Sequence, residues 1–253
     1  MKKEPKNKTR LDCLVVEKGL VHSRTRVKAL IMAGKVLVND VPVDKPGTLI
    51  ANDAMVVVKQ DDNPFVSRGG LKLEKALKTI PVSVKDLTCL DIGASTGGFT
   101  DCLLQYGASK VYAVDVGYGQ FDWSLRQNLR VTVIERTNIR YMPYEVINEK
   151  MDVVVADTSF ISLKTVIPSA EKFMRDDTQI LALIKPQFEA GKKNIGKGGV
   201  VKDPEIREMV IEDLKVFFQE RGYRVNQVVP SPISGPKGNI EYIIYLTFKE
   251  NLK

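Results

Sequence analysis

Past residue 64, apolar residues follow two alternating patterns. Continuous Val, Ile and Leu runs recur in "TCLDIG", "SKVYAVDVG", "VTVIE", "MDVVVAD" and "QILALIK". Between them the apolar positions take helical spacing, near Leu71 to Ile80, after Gly97, and around Glu205 to Gly222. Strands apolar on both faces must be covered on both faces, so the pattern predicts an α/β fold built on a mainly parallel sheet. Two closing runs, "YRVNQVVP" and "EYIIYLTF", are joined too briefly for a crossover and predict an antiparallel pair.

Ahead of residue 64 the spacing is shorter. Leu11, Leu14 and Val15 predict a helix from Thr9 to Leu20 that stops at Gly19. Val27, Leu30 and Ile31 predict a second, capped by Ser23 and closed by Gly34. "KVLVNDVPVD" and "DAMVVVK" then read as short strands with turns at Asn-Asp and Pro-Gly. The polar "KQDDNP" ends this unit, giving a small α+β domain over 1–60, a linker over 61–67 and the larger domain over 68–253.

Charge sharpens the division. Residues 1–60 hold 12 Lys and Arg against 6 Asp and Glu, most of the chain's net +7. That surplus suits a polyanion, with a solvated basic face as the plainer reading. Residues 1–60 contain no Phe, Tyr or Trp, so contact would be to phosphate and RNA shape rather than by stacking. No apolar run is long enough for a membrane span or secretory leader, which makes the cytoplasm the expected location. Cys13, Cys89 and Cys102 read as small core residues, and a single histidine, His22, rules out a His-based zinc cluster or triad. No metal is expected.

The glycine-rich stretch "LDIGASTGGFT", Leu90 to Thr100, is the chemical centre of the larger domain. Phe99 follows Gly97 and Gly98 where a phosphate-binding P-loop needs Lys and Ser or Thr. Gly93, Gly97 and Gly98 give G-x-x-x-G-G, with Ala94 where a dinucleotide fingerprint has its second glycine, so NAD is disfavoured but still open. A tight strand-to-helix turn with a buried Asp91 is the structural alternative. The stretch resembles the S-adenosylmethionine loop of Rossmann-like class I methyltransferases. That resemblance implies cofactor contacts at Asp91, Gly93, Ala94, Ser95, Gly97, Gly98, Phe99 and Asp157. It places the ribose diol on Asp115, 24 residues past Asp91, and the adenine near Asn138.

Ligands of such sheets sit beyond the carboxyl ends of the strands. Asp157 and Lys185 end strands there, Glu241 begins the antiparallel strand at the same edge, and Lys72 lies on the helix that opens the domain. Base-amino methyltransferases carry a proline pair where this chain has Asp157-Thr158-Ser159-Phe160, and neither Cys89 nor Cys102 is placed as a cytosine nucleophile. The set Lys72, Asp157, Lys185 and Glu241 resembles the Lys-Asp-Lys-Glu tetrad of FtsJ-type ribose 2′-O-methyltransferases. The resemblance implies Lys185 as base, with Asp157 holding its amine and Lys72 and Glu241 orienting the hydroxyl. A lysine serves as base once burial or a like charge favours its neutral form.

"SRTRVKALIMAGKVLVND" resembles the RNA-binding module of the S-four ribosomal protein, which implies Arg24, Arg26, Lys28 and Lys35 as RNA contacts. Together with the joint "VSRGGLKL", the two domains look like the TlyA/hemolysin A family of ribosomal RNA 2′-O-methyltransferases. The resemblance implies S-adenosylmethionine as cofactor and ribosomal RNA or ribosomal subunits as partner, with a cytidine ribose as target. Oligomeric state is left open. Where some members carry Arg-x-Trp before Val-Ser-Arg-Gly, this chain has Asn63-Pro64-Phe65, so coupling between RNA and cofactor binding is also open. The alternative function is a noncatalytic RNA-binding or ribosome-assembly protein that keeps the cofactor fold; membrane lysis, suggested by the family name, lacks a suitable segment. The lysine-rich "EAGKKNIGKGGVVKDP", Glu189 to Pro204, reads equally as a lid or a plain loop.

Overall fold

The computed structural model describes residues 7–21, 23–59 and 63–250, which divide into units Met1–Pro64 and Phe65–Lys253. His22, the early lysines Lys2, Lys3 and Lys6, and linker positions 60–62 lie outside the described residues.

In the first unit, strand β1 (Lys8–Arg10) leads into helix α1 (Leu11–Glu17), followed by α2 (Arg24–Met32). Strands β2 (Val36–Val38), β3 (Val41–Pro42), β4 (Leu49–Ala51) and β5 (Val56–Val58) complete it. Thr9 therefore lies in a strand, and the first helix is shorter than its apolar spacing suggests. β1 pairs antiparallel with β4, and that ladder fixes the backbone just ahead of Leu11. β3, β2 and β5 form an antiparallel sheet whose first turn, Asn39 and Asp40, takes positive φ at both residues, as a two-residue hairpin requires. Leu11, Leu14, Val15, Val27, Leu30, Ile31 and Val36 make the core. Ser23 caps α2 by accepting from the Arg26 N–H.

The second unit alternates as expected: α3 (Gly69–Thr79), β6 (Thr88–Ile92), α4 (Gly98–Gln105), β7 (Lys110–Val114), α5 (Trp123–Arg126), β8 (Val131–Ile134), β9 (Met151–Ala156), α6 (Leu163–Ser169), β10 (Met174–Ile184), α7 (Pro186–Glu189), α8 (Pro204–Glu220), β11 (Arg224–Pro230) and β12 (Tyr242–Thr247). The sheet order is β11-β12-β10-β9-β6-β7-β8. β8, β7, β6, β9 and β10 run parallel, and β12 runs antiparallel to both of its neighbours.

Alternate strand residues feed two separate cores, which explains the continuous apolar runs. Leu90, Tyr112, Val154 and Ile180 pack under α6 and α8, while Cys89, Val111, Val153 and Leu181 pack under α3 and α4. Phe65, from the expected linker, is buried in this second core. It occupies the place a Gly70 side chain would take: a Cβ there would lie 2.3 Å from the ring.

Candidate active site

The order of β6, β7, β8 and then β9 puts the chain's reversal between β6 and β9, and such a switch point opens a crevice beyond the strand ends. Gly93 leaves β6 there at φ +82°, and a Cβ on it would come within 2.7 Å of the Asp157 carbonyl oxygen. Only glycine fits that approach, which brings the glycine loop against the residue ending β9.

The four charged residues converge at this edge. Asp157 follows β9, Lys185 follows β10, and Glu241 precedes β12, whose register sets Tyr242 opposite Ile184. Lys72 reaches in from α3, because the start of α3 rests on the start of α4: a Cβ on Gly98 would meet Ser67 Oγ and the Gly70 nitrogen. Lys72 Nζ lies 2.6 Å from Glu241 Oε2 and 3.9 Å from Asp157 Oδ2, and Lys185 Nζ lies 2.5 Å from Asp157 Oδ1. Lys185 also donates to Ser159 Oγ at 3.0 Å. Lys72, Lys185 and Glu241 are each less than 10% exposed. Each buried ion costs several kcal/mol in lost hydration, so a hydrophobic quartet would serve stability at least as well. Two cations against two anions cancel, and the arrangement is one that chemistry rather than packing accounts for.

The loop from Gly93 to Gly97 places Gly93, Ser95 and Gly97 in the left-handed region. A Cβ on Gly97 would collide with Leu125, so a close backbone path is built in. Asp115, at the end of β7, accepts from the Ser95 N–H through one carboxylate oxygen (2.7 Å) and from the Gly117 N–H through the other (2.6 Å). Each oxygen keeps a further lone pair, and the residue is only half-buried, which suits a vicinal diol. Asn138 lies on the neighbouring loop after β8, its side-chain oxygen taking the Arg140 N–H. Asp91 is fully buried under the loop; it accepts from Thr100 Oγ1 at 2.7 Å, and its other oxygen has no hydrogen-bond partner. Burial pushes its carboxyl up to about 7. Ala94 and Phe99 are buried, so they shape the loop from beneath. The backbone path and the Asp115 carboxylate fit an adenosyl cofactor without phosphate. Burial also pushes the Cys89 thiol up to about 12, which leaves it inert. Among the described residues no cluster suited to a metal ion occurs.

In the first unit Arg24 and Lys28 are exposed on α2, while Arg26 and Lys35 are half-buried. Arg24 is engaged as well: its Nε and Nη2 donate to Asp12 Oδ2 at 3.1 and 3.0 Å. Arg10 donates to both oxygens of the same carboxylate.

The FtsJ-like methyltransferase family pattern matches residues 65–248, and the S4 domain pattern matches residues 9–56. The chain belongs to the FtsJ-like methyltransferase family. Its relatives include YqxC of Bacillus subtilis, named as a candidate rRNA methyltransferase, 48% identical over 94% of this chain and 85% of its own. The 16S/23S rRNA (cytidine-2′-O)-methyltransferase TlyA of Mycobacterium tuberculosis is 46% identical over 94% of this chain and 90% of its own. Among solved structures, a candidate hemolysin from Streptococcus thermophilus is 43% identical and covers 97% of this chain and 90% of its own, at a TM-score of 0.75. The Rossmann-like class and the S-four-type module read from the sequence are those of an FtsJ-like methyltransferase preceded by an S4 domain.

Sequence reasoning about this FtsJ-like site missed its supports. Ser159 is the hydroxyl that holds Lys185. Gly235 faces Glu241 so closely that a Cβ would lie 1.9 Å from Oε1. Phe160 is 90% exposed at φ +64°, with its ring 5.0 Å from that of Phe188. The sequence shows only a phenylalanine three residues past Asp157; its exposure and positive φ appear in the fold.

Proposed function

We propose that the chain transfers a methyl group from S-adenosylmethionine to a ribose 2′-hydroxyl of ribosomal RNA, with cytidine the favoured nucleoside because the TlyA relative is named for it. The observation carrying this reading is the charge-balanced set of buried Lys72, Lys185 and Glu241 with the partly exposed Asp157, beside the Gly93 loop. The glycine loop, Asp115 and Asn138 would hold S-adenosylmethionine, which would supply a methyl already activated by sulfonium charge. The protein's remaining work is to position a weakly acidic hydroxyl and take its proton. Lys185 would take that proton from the ribose hydroxyl at Nζ. Asp157 and Ser159 fix Nζ, and Lys72, held by Glu241, steers the hydroxyl oxygen. Phe160, exposed at the rim, offers a ring for a base lifted from its stack.

The first unit, ending near residue 64, would anchor structured RNA through Arg24, Arg26, Lys28 and Lys35. We place the enzyme in the cytoplasm with its substrate; no helix among the described residues is long and apolar enough to cross a membrane. The reading is tested by incubating ribosomal subunits with purified protein and tritiated S-adenosylmethionine and mapping ribose methylation. Label at a 2′-oxygen is expected; cofactor binding with no transfer would favour the noncatalytic alternative.

A further inference from the structure

The lysine-rich stretch after α7 is tied down by the side chains of Asn239 and Arg207. Asn239 is 3% exposed; its Nδ2 donates to the Gly199 carbonyl at 3.0 Å, and its Oδ1 accepts from the Val201 N–H at 3.0 Å. Val201 is buried, and Arg207 Nη1 donates to the carbonyls of Val201 and Lys202, closing the same end of the loop. Gly196 and Val200 pair across the loop itself. From residue 190 to 202 there are four lysines, all exposed, and no acid; Lys237, two residues before Asn239, adds a fifth.

The other end of Asn239 belongs to the active site. Its carbonyl accepts from the Gly235 N–H at 2.9 Å, and Gly235 is the residue pressed against the Glu241 carboxylate. The Ser231 N–H donates to the Glu241 carbonyl, so the connection from β11 to β12 is pinned at both ends of the turn that seats Glu241. The side-chain amide of Asn239 thus bonds Gly199 and Val201 while its backbone carbonyl bonds Gly235, so one residue joins the two loops.

We propose that Asn239 is a positioning residue that makes the lysine loop and the seat of Glu241 one rigid piece. Lys192, Lys193 and Lys197 engage RNA phosphates, and Asn239 converts that engagement into correct placement of Glu241 against Lys72. The inference rests on the methyl-transfer reading above. The loop then acts as a clamped phosphate-binding edge of the active site rather than as a swinging lid.

The test is a double-mutant cycle on the full chain, with ribosomal subunits and tritiated S-adenosylmethionine. Asn239→Ala is expected to lower kcat about tenfold or more while cofactor affinity and melting temperature stay near wild type; a tenfold change corresponds to about 1.4 kcal/mol. Lys192→Ala, Lys193→Ala and Lys197→Ala together are expected to raise KM for the subunits and also lower kcat. Combined with Asn239→Ala, they should lower kcat no further, because the link is already cut. Asn239→Asp, which keeps the acceptor for Val201 but sets a carboxylate oxygen against the Gly199 carbonyl, should lower kcat at least as far as Asn239→Ala. Unchanged kcat in Asn239→Ala, multiplicative kcat losses, or a parallel collapse of cofactor affinity in both Asn239 variants would each overturn the inference. A wild-type chain that transfers no methyl group breaks the underlying function instead, which separates the two failures.

Discussion

Asp12 in the first unit and Asp91 in the second are both fully buried carboxylates, and their surroundings treat them in opposite ways. Asp12 is gripped by two guanidiniums, Arg10 first and Arg24 with it, which hold it ionised at about 2. Asp91 has a hydroxyl and no cation, and burial pushes it up to about 7. The same contrast runs through each unit. In the first, cations outnumber the acid and their side chains remain about half exposed, so the buried carboxylate fixes positive groups that face outward. In the second, Lys72, Asp157, Lys185 and Glu241 balance and are nearly sealed from solvent. An unbalanced, outward cluster suits the attraction of a polyanion; a balanced, inward one suits the movement of a single proton.

The largest expected effect breaks the balance itself. Lys185→Ala should lower methyl transfer by at least about 10²-fold, the usual contribution of a positioned general base. Cofactor affinity should stay within a few-fold, since Asp157 keeps Lys72 as a partner and Asp115 is untouched. Tritium transfer and isothermal titration read the two quantities separately. A variant with near-normal turnover would remove Lys185 from the proton's path.

Next in size is Asp115, the acid proposed to hold the cofactor's ribose. Asp115→Ala should weaken S-adenosylmethionine binding by about 1.5–3 kcal/mol, the range for hydrogen bonds to a charged acceptor. It also releases the Ser95 and Gly117 N–H groups, so some of the loss is loop disorder rather than a missing contact. Turnover at saturating cofactor should change much less than affinity. Titration giving an unchanged dissociation constant would move the ribose elsewhere.

The parts of the molecule legible in the sequence were those fixed by periodicity or by covalent spacing. β6, β7, β9 and β10 announced themselves because both of their faces are buried, and Gly93 and Gly97 because backbone closeness demands glycine. β1 and β4 did not, since the polar Lys-Thr-Arg of β1 carries no strand signal and the two strands gain their pairing only from each other. α6 was hidden by its short length and by Pro168 within it. The tetrad could be read because each member sits at a strand end or on the opening helix. Its supports could not: Ser159, Gly235 and Asn239 matter through distances that only the folded loops create. Asp12 carried no signal of its role, because one of the arginines that grip it lies 12 residues away.

The opening contrast is tested most directly through pH. Asp12 has a folded value below its ordinary 3.8, so its ionised form favours the fold. That contribution is fully present above about pH 4 and is lost as pH falls toward 2; with both guanidiniums half exposed it amounts to about 1–2 kcal/mol. Asp91 has the reverse sign. Its folded value lies above 3.8, so the contribution of its protonated form is present below about pH 4 and is lost as pH rises through 7. Amide hydrogen exchange of each unit, with variant and wild type compared at the same pH, separates the two. Asp12→Asn should loosen the first unit at neutral pH, with the difference from wild type shrinking toward pH 2. Asp91→Asn should do the opposite in the second unit, gaining protection relative to wild type as pH rises from 4 to 7. If both variants shift in the same direction with pH, the two acids are not held in opposite states and the contrast between the units fails.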